Sequence, residues 1–335
     1  ITKQGEVLVD NQKDNDGNTT FVYEKQNLAN AEYDIVAKED IVHPDGHTGT
    51  IISAGVTVAK AITGVDGILV TTIDTDIQQG YTQEVQQMLQ RGLPLGKYEI
   101  VETKAPEGYY RDQENCTKDV DVLEEANDKE LLTYDVTFEN ERQKVEITLT
   151  NKDIETNELI PNAEFGLYAK QDITYTDKNG VSQKILADEL IYKVTTDENG
   201  IAKWNAQDNV DLPLENYYIK QLNAGYGYVT NNDVIDVDAT YQGQDKDKVE
   251  INIEFTNQQT KTLVKKQDEE TKNGLSNVEM KLLNSDREEL YSWTTDDTGE
   301  KYINKLQRGE TYILQEIKPR ENYINDMLID TNNNN

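Results

Sequence analysis

Cysteine is almost absent from this 335-residue chain: Cys116 stands alone, so neither an intrachain disulfide nor a cysteine-based metal centre can form. Histidine is nearly as scarce. His43 and His47 are the only two, and their segment, His-Pro-Asp-Gly-His-Thr-Gly, reads as a turn rather than a metal loop. No nucleophile elbow and no phosphate-cradling glycine loop is present. No apolar run is long enough to cross a bilayer, and no signal peptide is evident. Any export signal or anchor is therefore expected outside this segment. Lys and Arg number 33 against 64 Asp and Glu, a net charge of −31. That balance leaves no basic stripe for nucleic acid and disfavours an anionic membrane surface.

Hydrophobic residues make up 36%, too few for one large core but suited to several small ones. Against disorder stand 19 tyrosines and many Val/Ile/Thr runs of alternating polarity. Three blocks recur in the same order. The first is LANAEYDIVAKEDI (28–41), IPNAEFGLYAKQDI (160–173) and LSNVEMKLLNSD (275–286). The second is a turn, TGVDG (63–67), TDENG (196–200) and TDDTG (295–299). The third is LPLGKYEIVETKAPEGYY (93–110), LPLENYYIKQLNAGYGYV (212–229) and LQRGETYILQEIKPRENYI (306–324). A closing strand follows twice, YDVTFEN (134–140) and INIEFTN (251–257).

Tyr33, Ile35 and Ala37, and likewise Val145, Ile147, Leu149 and Asn151, alternate with polar residues, the period of a half-buried strand. Asp/Asn/Gly turns between such runs predict antiparallel hairpins and an all-β chain of tandem sandwiches. Polar junctions place the domains at 1–141, 142–258 and 259–335, the last lacking an evident closing strand. Residues 74–92 have no counterpart in the other copies. Ile77, Tyr81, Val85, Met88 and Leu89 fall at helical spacing and Gly92 would stop the helix, so a short helical insertion near 74–92 is predicted. A partner-binding role for that insertion is the functional alternative.

These repeats resemble the collagen-adhesin B-type domains, also called prealbumin-like domains, of Gram-positive pilins and surface adhesins. The residues that carry the resemblance are Tyr98 with Glu102 four residues on, the Ala-Pro-Glu-Gly-Tyr that follows, the Thr-Asp-x-x-Gly turns and the strand ending in Asn140. The resemblance implies seven-stranded, immunoglobulin-like sandwiches. It also implies a spontaneous amide bond between a first-strand Lys and a last-strand Asn, promoted by a buried carboxyl group. Lys3, Glu102 and Asn140 match those roles in the first domain, with Lys25 as a second lysine candidate. The second domain departs from the pattern: Asn151 stands at the Lys position, Lys152 points outward, and Gln221 replaces Glu while Asn257 remains. No amide is expected there. Asn151, Gln221 and Asn257 are expected to form a neutral hydrogen-bonded cluster instead.

In the third domain Lys266 and Glu316 fit the Lys and Glu positions. The chain reaches residue 335 before the offset at which Asn140 and Asn257 occur, so the asparagine partner is left unassigned and a strand donated by another chain is considered. Asp14-Asn15-Asp16-Gly17-Asn18 resembles a calcium loop, but its glycine is misplaced. LPLGK (93–97) looks like a sorting signal, yet its repeat partner LPLEN (212–216) marks it as a structural element. Neither cofactor nor metal is expected. The resemblance implies a non-enzymatic stalk or shaft segment of a cell-wall-anchored extracellular protein. Its partners would be neighbouring pilin subunits, through sortase linkage, or a host ligand. A ligand-binding adhesin module and a prealbumin-like hydrolase using His43 or His47 are the alternatives.

Overall fold

A computed structural model describes residues 1–72, 81–122 and 134–323. The first unit comprises β1 (Thr2–Lys13), β2 (Thr19–Asn27), β3 (Glu32–Ala37), β4 (Ile41–Val42), β5 (Thr50–Ile52), β6 (Thr57–Thr63), β7 (Leu69–Thr72), α1 (Gln83–Arg91), β8 (Gly96–Lys104), β9 (Thr117–Val122) and β10 (Thr137–Glu139). Its two main sheets run β10-β1-β2 and β7-β6-β3-β8-β9, with β10 parallel to β1. The second unit comprises β11 (Lys144–Asp153), β12 (Glu164–Ala169), β13 (Ile173–Thr176), β14 (Ser182–Ile185), β15 (Leu190–Thr195), β16 (Ile201–Asn205), β17 (Asn216–Asn223), β18 (Val234–Asp238) and β19 (Lys248–Asn257). Its sheets are β16-β11-β19 and β15-β12-β17-β18, with β13-β14 as a separate hairpin. The third unit comprises β20 (Lys261–Lys265), β21 (Glu279–Leu283), β22 (Glu289–Thr294), β23 (Glu300–Asn304) and β24 (Ile313–Lys318), paired as β20-β23 and β22-β21-β24.

Alternation builds the cores. Every second residue of β3 and β11 is buried, as the spacing of Tyr33, Ile35 and Ala37 and of Val145, Ile147 and Leu149 predicts. Aromatic rings join the two sheets of each complete unit. Tyr33 meets Phe138 at 4.9 Å between centroids, and Phe165 meets Phe255 edge-on at 5.0 Å. Among the described residues the helix spans Gln83–Arg91. It begins after Thr82, whose hydroxyl caps Val85 N, and ends at Gly92 with φ 145°. Val85 and Leu89 bury into the first core. Ile77 lies outside the described residues.

The repeat blocks are tied to one another by hydrogen bonds. In each unit the Asn of the first block (Asn30, Asn162, Asn277) adopts a left-handed φ of 57–64°. The chain can then place its next amide on the hydroxyl of the buried turn threonine. Ala31, Ala163 and Val278 N donate to Thr63, Thr196 and Thr295 Oγ1 at 2.9–3.0 Å. The same hydroxyls donate to Leu28, Ile160 and Leu275 O at 2.6–2.9 Å. The two blocks recur together because each satisfies the other's buried polar groups. Tyr98 and Tyr217 likewise donate to Pro94 O and Pro213 O at 2.8 and 2.7 Å, which explains the Leu-Pro-Leu segment before each tyrosine.

One feature of the first unit has no counterpart in the others. Between Lys3 and Leu28 lie residues 4–27, where the second unit has only 152–159 between Asn151 and Ile160. The extra chain makes β1 and β2 a long hairpin, with 14–18 as its tip. The hairpin leaves its own unit and enters the second. Phe21 is buried within the second unit's core, and Leu8 and Tyr23 pack against that core. Polar contacts fix it in place: Lys193 N donates to Asn18 Oδ1 at 2.9 Å, Asn11 Nδ2 to Tyr175 Oη at 2.7 Å and Tyr23 Oη to Asp211 O at 3.1 Å. Buried Arg142 stacks on the Tyr23 ring at 3.7 Å and pairs with Asp211 at 2.6 Å. On the other side Gln244 of the second unit accepts from Ala105 N and Arg111 N, both at 2.8 Å.

Phe21 is thus a core residue of a unit it does not belong to in sequence. Phe21→Ala is expected to destabilise the second unit by about 3 kcal/mol. Urea unfolding followed by the fluorescence of Trp204, buried in that unit, is the measurement. An unchanged midpoint would show that the hairpin merely lies against it.

Candidate functional site

Lys3 lies on β1 with its side chain turned inward and pairs in parallel register with Phe138 of β10. Parity then carries Asn140, two residues beyond Phe138, to the same interior. Glu102 on β8 faces it across the sandwich, paired with Tyr33 on β3. Lys3 and Glu102 are 0% and 1% exposed, and Asn140 is buried with them. Lys3 Nζ sits 2.6 Å from Glu102 Oε1 and also donates to Asn140 Oδ1 in a short contact. Asn140 Nδ2 donates to the same Glu102 oxygen at 3.2 Å. One carboxyl oxygen therefore touches both the amine and the amide nitrogen. Gly5 permits this closeness, since a Cβ there would lie 2.6 Å from the Tyr109 ring and 3.0 Å from Asn140 O.

Burial dominates the electrostatics. It pushes the Lys3 amine below its ordinary range, against the pull of Glu102, and pushes the Glu102 carboxyl up, against the pull of Lys3. Both shifts favour a neutral amine beside a neutral acid. Phe138 walls the site, with Lys3 Nζ 5.9 Å from its ring centroid. The Tyr33 hydroxyl is buried with no hydrogen-bond partner among the described residues. Burial and the nearby Glu102 charge push it well above the usual phenol range. The sequence pattern marks Tyr33 only as core.

Backbone hydrogen bonds show that the corresponding positions are equivalent. Lys3, Asn151 and Lys266 N donate to Gly67, Gly200 and Gly299 O, and their carbonyls accept from Leu28, Ile160 and Leu275 N. In the second unit Gln221 and Asn257 form a reciprocal amide pair, at 2.9 and 2.7 Å. Asn257 Nδ2 also reaches Val229 O at 2.8 Å, and Gln221 Oε1 accepts from Asn231 N at 2.9 Å. The expected three-residue cluster is corrected here. Asn151 is fully buried, yet neither of its side-chain polar atoms has a hydrogen-bond partner among the described residues. An asparagine ends two bonds beyond Cβ where a lysine reaches four, so Asn151 stops short of the pair. Lys152 points outward and pairs with Glu254 on the surface.

In the third unit Lys266 Nζ lies 2.8 Å from Glu316 Oε2, at 30% and 16% side-chain exposure. Lys25, the second candidate of the first unit, is an exposed partner of Glu139 at 2.8 Å and takes no part in the buried cluster. His43 Nε2 lies 3.3 Å from Glu84 Oε1 on α1, while His43 Nδ1 accepts from Asp45 N. Residues 43–49 form the turn between β4 and β5. Cys116 lies half-buried beside Gln113 O.

The sequence model of the SpaA prealbumin-like fold domain matches three stretches, residues 11–136, 145–259 and 260–333. The chain belongs to this family. Among solved structures, the TIE protein of Bacillus anthracis is 19% identical, with a TM-score of 0.49, over 90% of this chain and 53% of that one. The chain thus spans about half of that protein's length. A streptococcal ancillary pilin is 18% identical over 78% and 63% of the two chains, TM-score 0.24. The shaft pilin SpaA of Lactobacillus rhamnosus GG is 16% identical over 77% and 96%, TM-score 0.25. A search of curated proteins finds no match.

Within this family member, Asn151 carries a buried side-chain amide with no hydrogen-bond partner among the described residues. Asn151→Leu is therefore expected to raise the stability of the second unit by about 1–2 kcal/mol. Trp204-monitored urea unfolding reads the change, and a lower midpoint would show that the amide is satisfied in solution.

Proposed function

We propose that the chain is a structural stalk or shaft segment of a Gram-positive cell-wall adhesin or pilin, and that its first unit is locked by an amide between Lys3 and Asn140. The observation that carries this reading is the single Glu102 oxygen in contact with both Lys3 Nζ and Asn140 Nδ2 in a buried site. The same Glu102 oxygen lies against the amide nitrogen of Asn140. Its role is then proton transfer between nucleophile and leaving group.

The neutral Lys3 amine attacks Asn140 Cγ. A proton passes from the amine through Glu102 to Nδ2, the Cγ–Nδ2 bond breaks, and ammonia departs. The fold holds amine and amide in contact, so the step is intramolecular and occurs once. No external substrate is consumed. The product turns a buried amine, costly to desolvate when charged, into a neutral amide. It also closes a covalent loop between residues 137 apart in sequence. Tension arriving at Lys3 passes directly to Asn140, so residues 4–139 carry none of it. Surface location, with neighbouring subunits as partners, follows from the same reading.

Glu102→Gln is the test. The second unit shows that glutamine packs at this position, through Gln221. The native chain is expected to weigh one ammonia less than its sequence, and the variant to keep its full mass. Loss of the lock should also lower the first unit's stability by about 3–5 kcal/mol, the loop-closure entropy of a long cross-link. A variant that still loses ammonia would overturn the role of Glu102. A native chain of unreduced mass would overturn the bond.

A further inference from the structure

The Tyr33 hydroxyl is a buried polar group at the Lys3, Glu102 and Asn140 cluster that the chemistry above leaves unused. Tyr33 is 1% exposed, and its hydroxyl has no hydrogen-bond partner among the described residues. Two contacts place it at the cluster. On β3 it pairs in antiparallel register with Glu102 of β8, so the two side chains leave the sheet on the same face. Across the sandwich its ring meets that of Phe138. Phe138 is the register partner of Lys3 and stands two residues before Asn140 on the same face. A buried hydroxyl left unpaired is a cost to the fold and calls for a reason.

The other two units omit this hydroxyl. Phe165 stands opposite Gln221 in the second unit, and Met280 opposite Glu316 in the third. Phe165 is fully buried, so a bare ring packs at this position. The hydroxyl occurs in the unit whose Lys, Glu and Asn are in contact. It is absent from the unit in which Asn151 and Gln221 replace the Lys and the Glu.

The reaction has an unmet need at the same place. When Lys3 Nζ attacks Asn140 Cγ, the carbonyl π pair moves onto Oδ1 and negative charge develops there. Among the described residues, Oδ1 accepts from Lys3 Nζ. Once Nζ is bonded to Cγ, it can no longer donate to the oxygen on the same carbon. Glu102 is engaged at the two nitrogens. An oxyanion left without a donor in an apolar interior raises the barrier steeply. We propose that Tyr33 is a catalytic residue of the amide-forming step: its hydroxyl donates to Asn140 Oδ1 as the oxyanion develops. The phenol keeps its own proton. The electron pair returns from Oδ1 as the Cγ–Nδ2 bond breaks, the proton passes from Nζ through Glu102 to Nδ2, and ammonia leaves. Burial and the Glu102 charge hold the phenol well above its ordinary range, so it stays a donor throughout. This step rests on the reading of Lys3, Glu102 and Asn140 given above.

Tyr33→Phe separates catalysis from folding. Chains made by cell-free synthesis are quenched in acid at intervals, and intact mass reads the ammonia lost. The native chain is expected to lose one ammonia. Tyr33→Phe should lose it roughly 10²–10³-fold more slowly, the usual effect of removing one oxyanion donor. Equal rates would overturn the role of Tyr33 and leave the bond standing. A native chain that never loses ammonia would overturn both. Stability supplies a second readout, in a Glu102→Gln background where no bond is expected. Adding Tyr33→Phe there should leave hydrogen-exchange protection of the first unit's strands unchanged or higher, because no partner is lost. Lower protection, or failure to fold, would show that the hydroxyl serves the fold and would overturn the proposal.

Discussion

An amine and a carboxyl group buried side by side are an unstable element of any small sandwich. At Lys3 and Glu102 the interior offers no water to solvate the charges, and a buried pair of this kind contributes little to stability. Both groups are pushed toward their neutral forms, and Asn140 is held against both. The architecture of the first unit serves this contact. The parallel pairing of β1 with β10 sets the register, Phe138 excludes solvent, and Gly5 leaves room for Tyr109. With one cysteine in the chain, a reaction between side chains that need no oxidant is a staple available in any redox environment.

The hairpin would extend the reach of such a lock. Residues 4–27 lie inside the covalent loop that the Lys3–Asn140 bond would close, yet Phe21 and Tyr23 pack with the second unit. A load path that skips those residues never peels the hairpin from its neighbour. The second unit, with Asn151 and Gln221 in place of the reactive pair, is thus held by insertion from the first. The three units share one scaffold, stapled by Thr63, Thr196 and Thr295, and differ in how each is closed. The first has its buried Lys3, Glu102 and Asn140, the second a neutral amide pair and a borrowed hairpin, and the third Lys266 paired with Glu316.

Much of this was legible in the sequence. The period of two in β3 and β11, the turn threonines and glycines, and the inward parity of Lys3, Glu102 and Asn140 are local signals. Local signals survive folding when a buried face enforces them. Other features depend on which surfaces meet. Phe21 reads as an ordinary strand residue, and nothing near it in sequence says whose core it enters. Arg142 sits at a polar junction that reads as a linker, yet it stacks under Tyr23. The isolation of Asn151 follows from side-chain reach across a sandwich whose width is set elsewhere. The placement of Glu102 at the amide nitrogen is a matter of orientation that residue types do not encode. The helix was legible in kind, while the capping role of Thr82 is not marked by the spacing of its apolar residues.

Mechanical extension of single molecules tests the central claim most directly. The chain is held by its two ends and stretched until its units unfold. If Lys3 and Asn140 are joined, residues 4–139 add no length, and only the second and third units give unfolding steps. A further step of roughly 450–490 Å, the extended length of those residues at 3.3–3.6 Å each, would contradict the account.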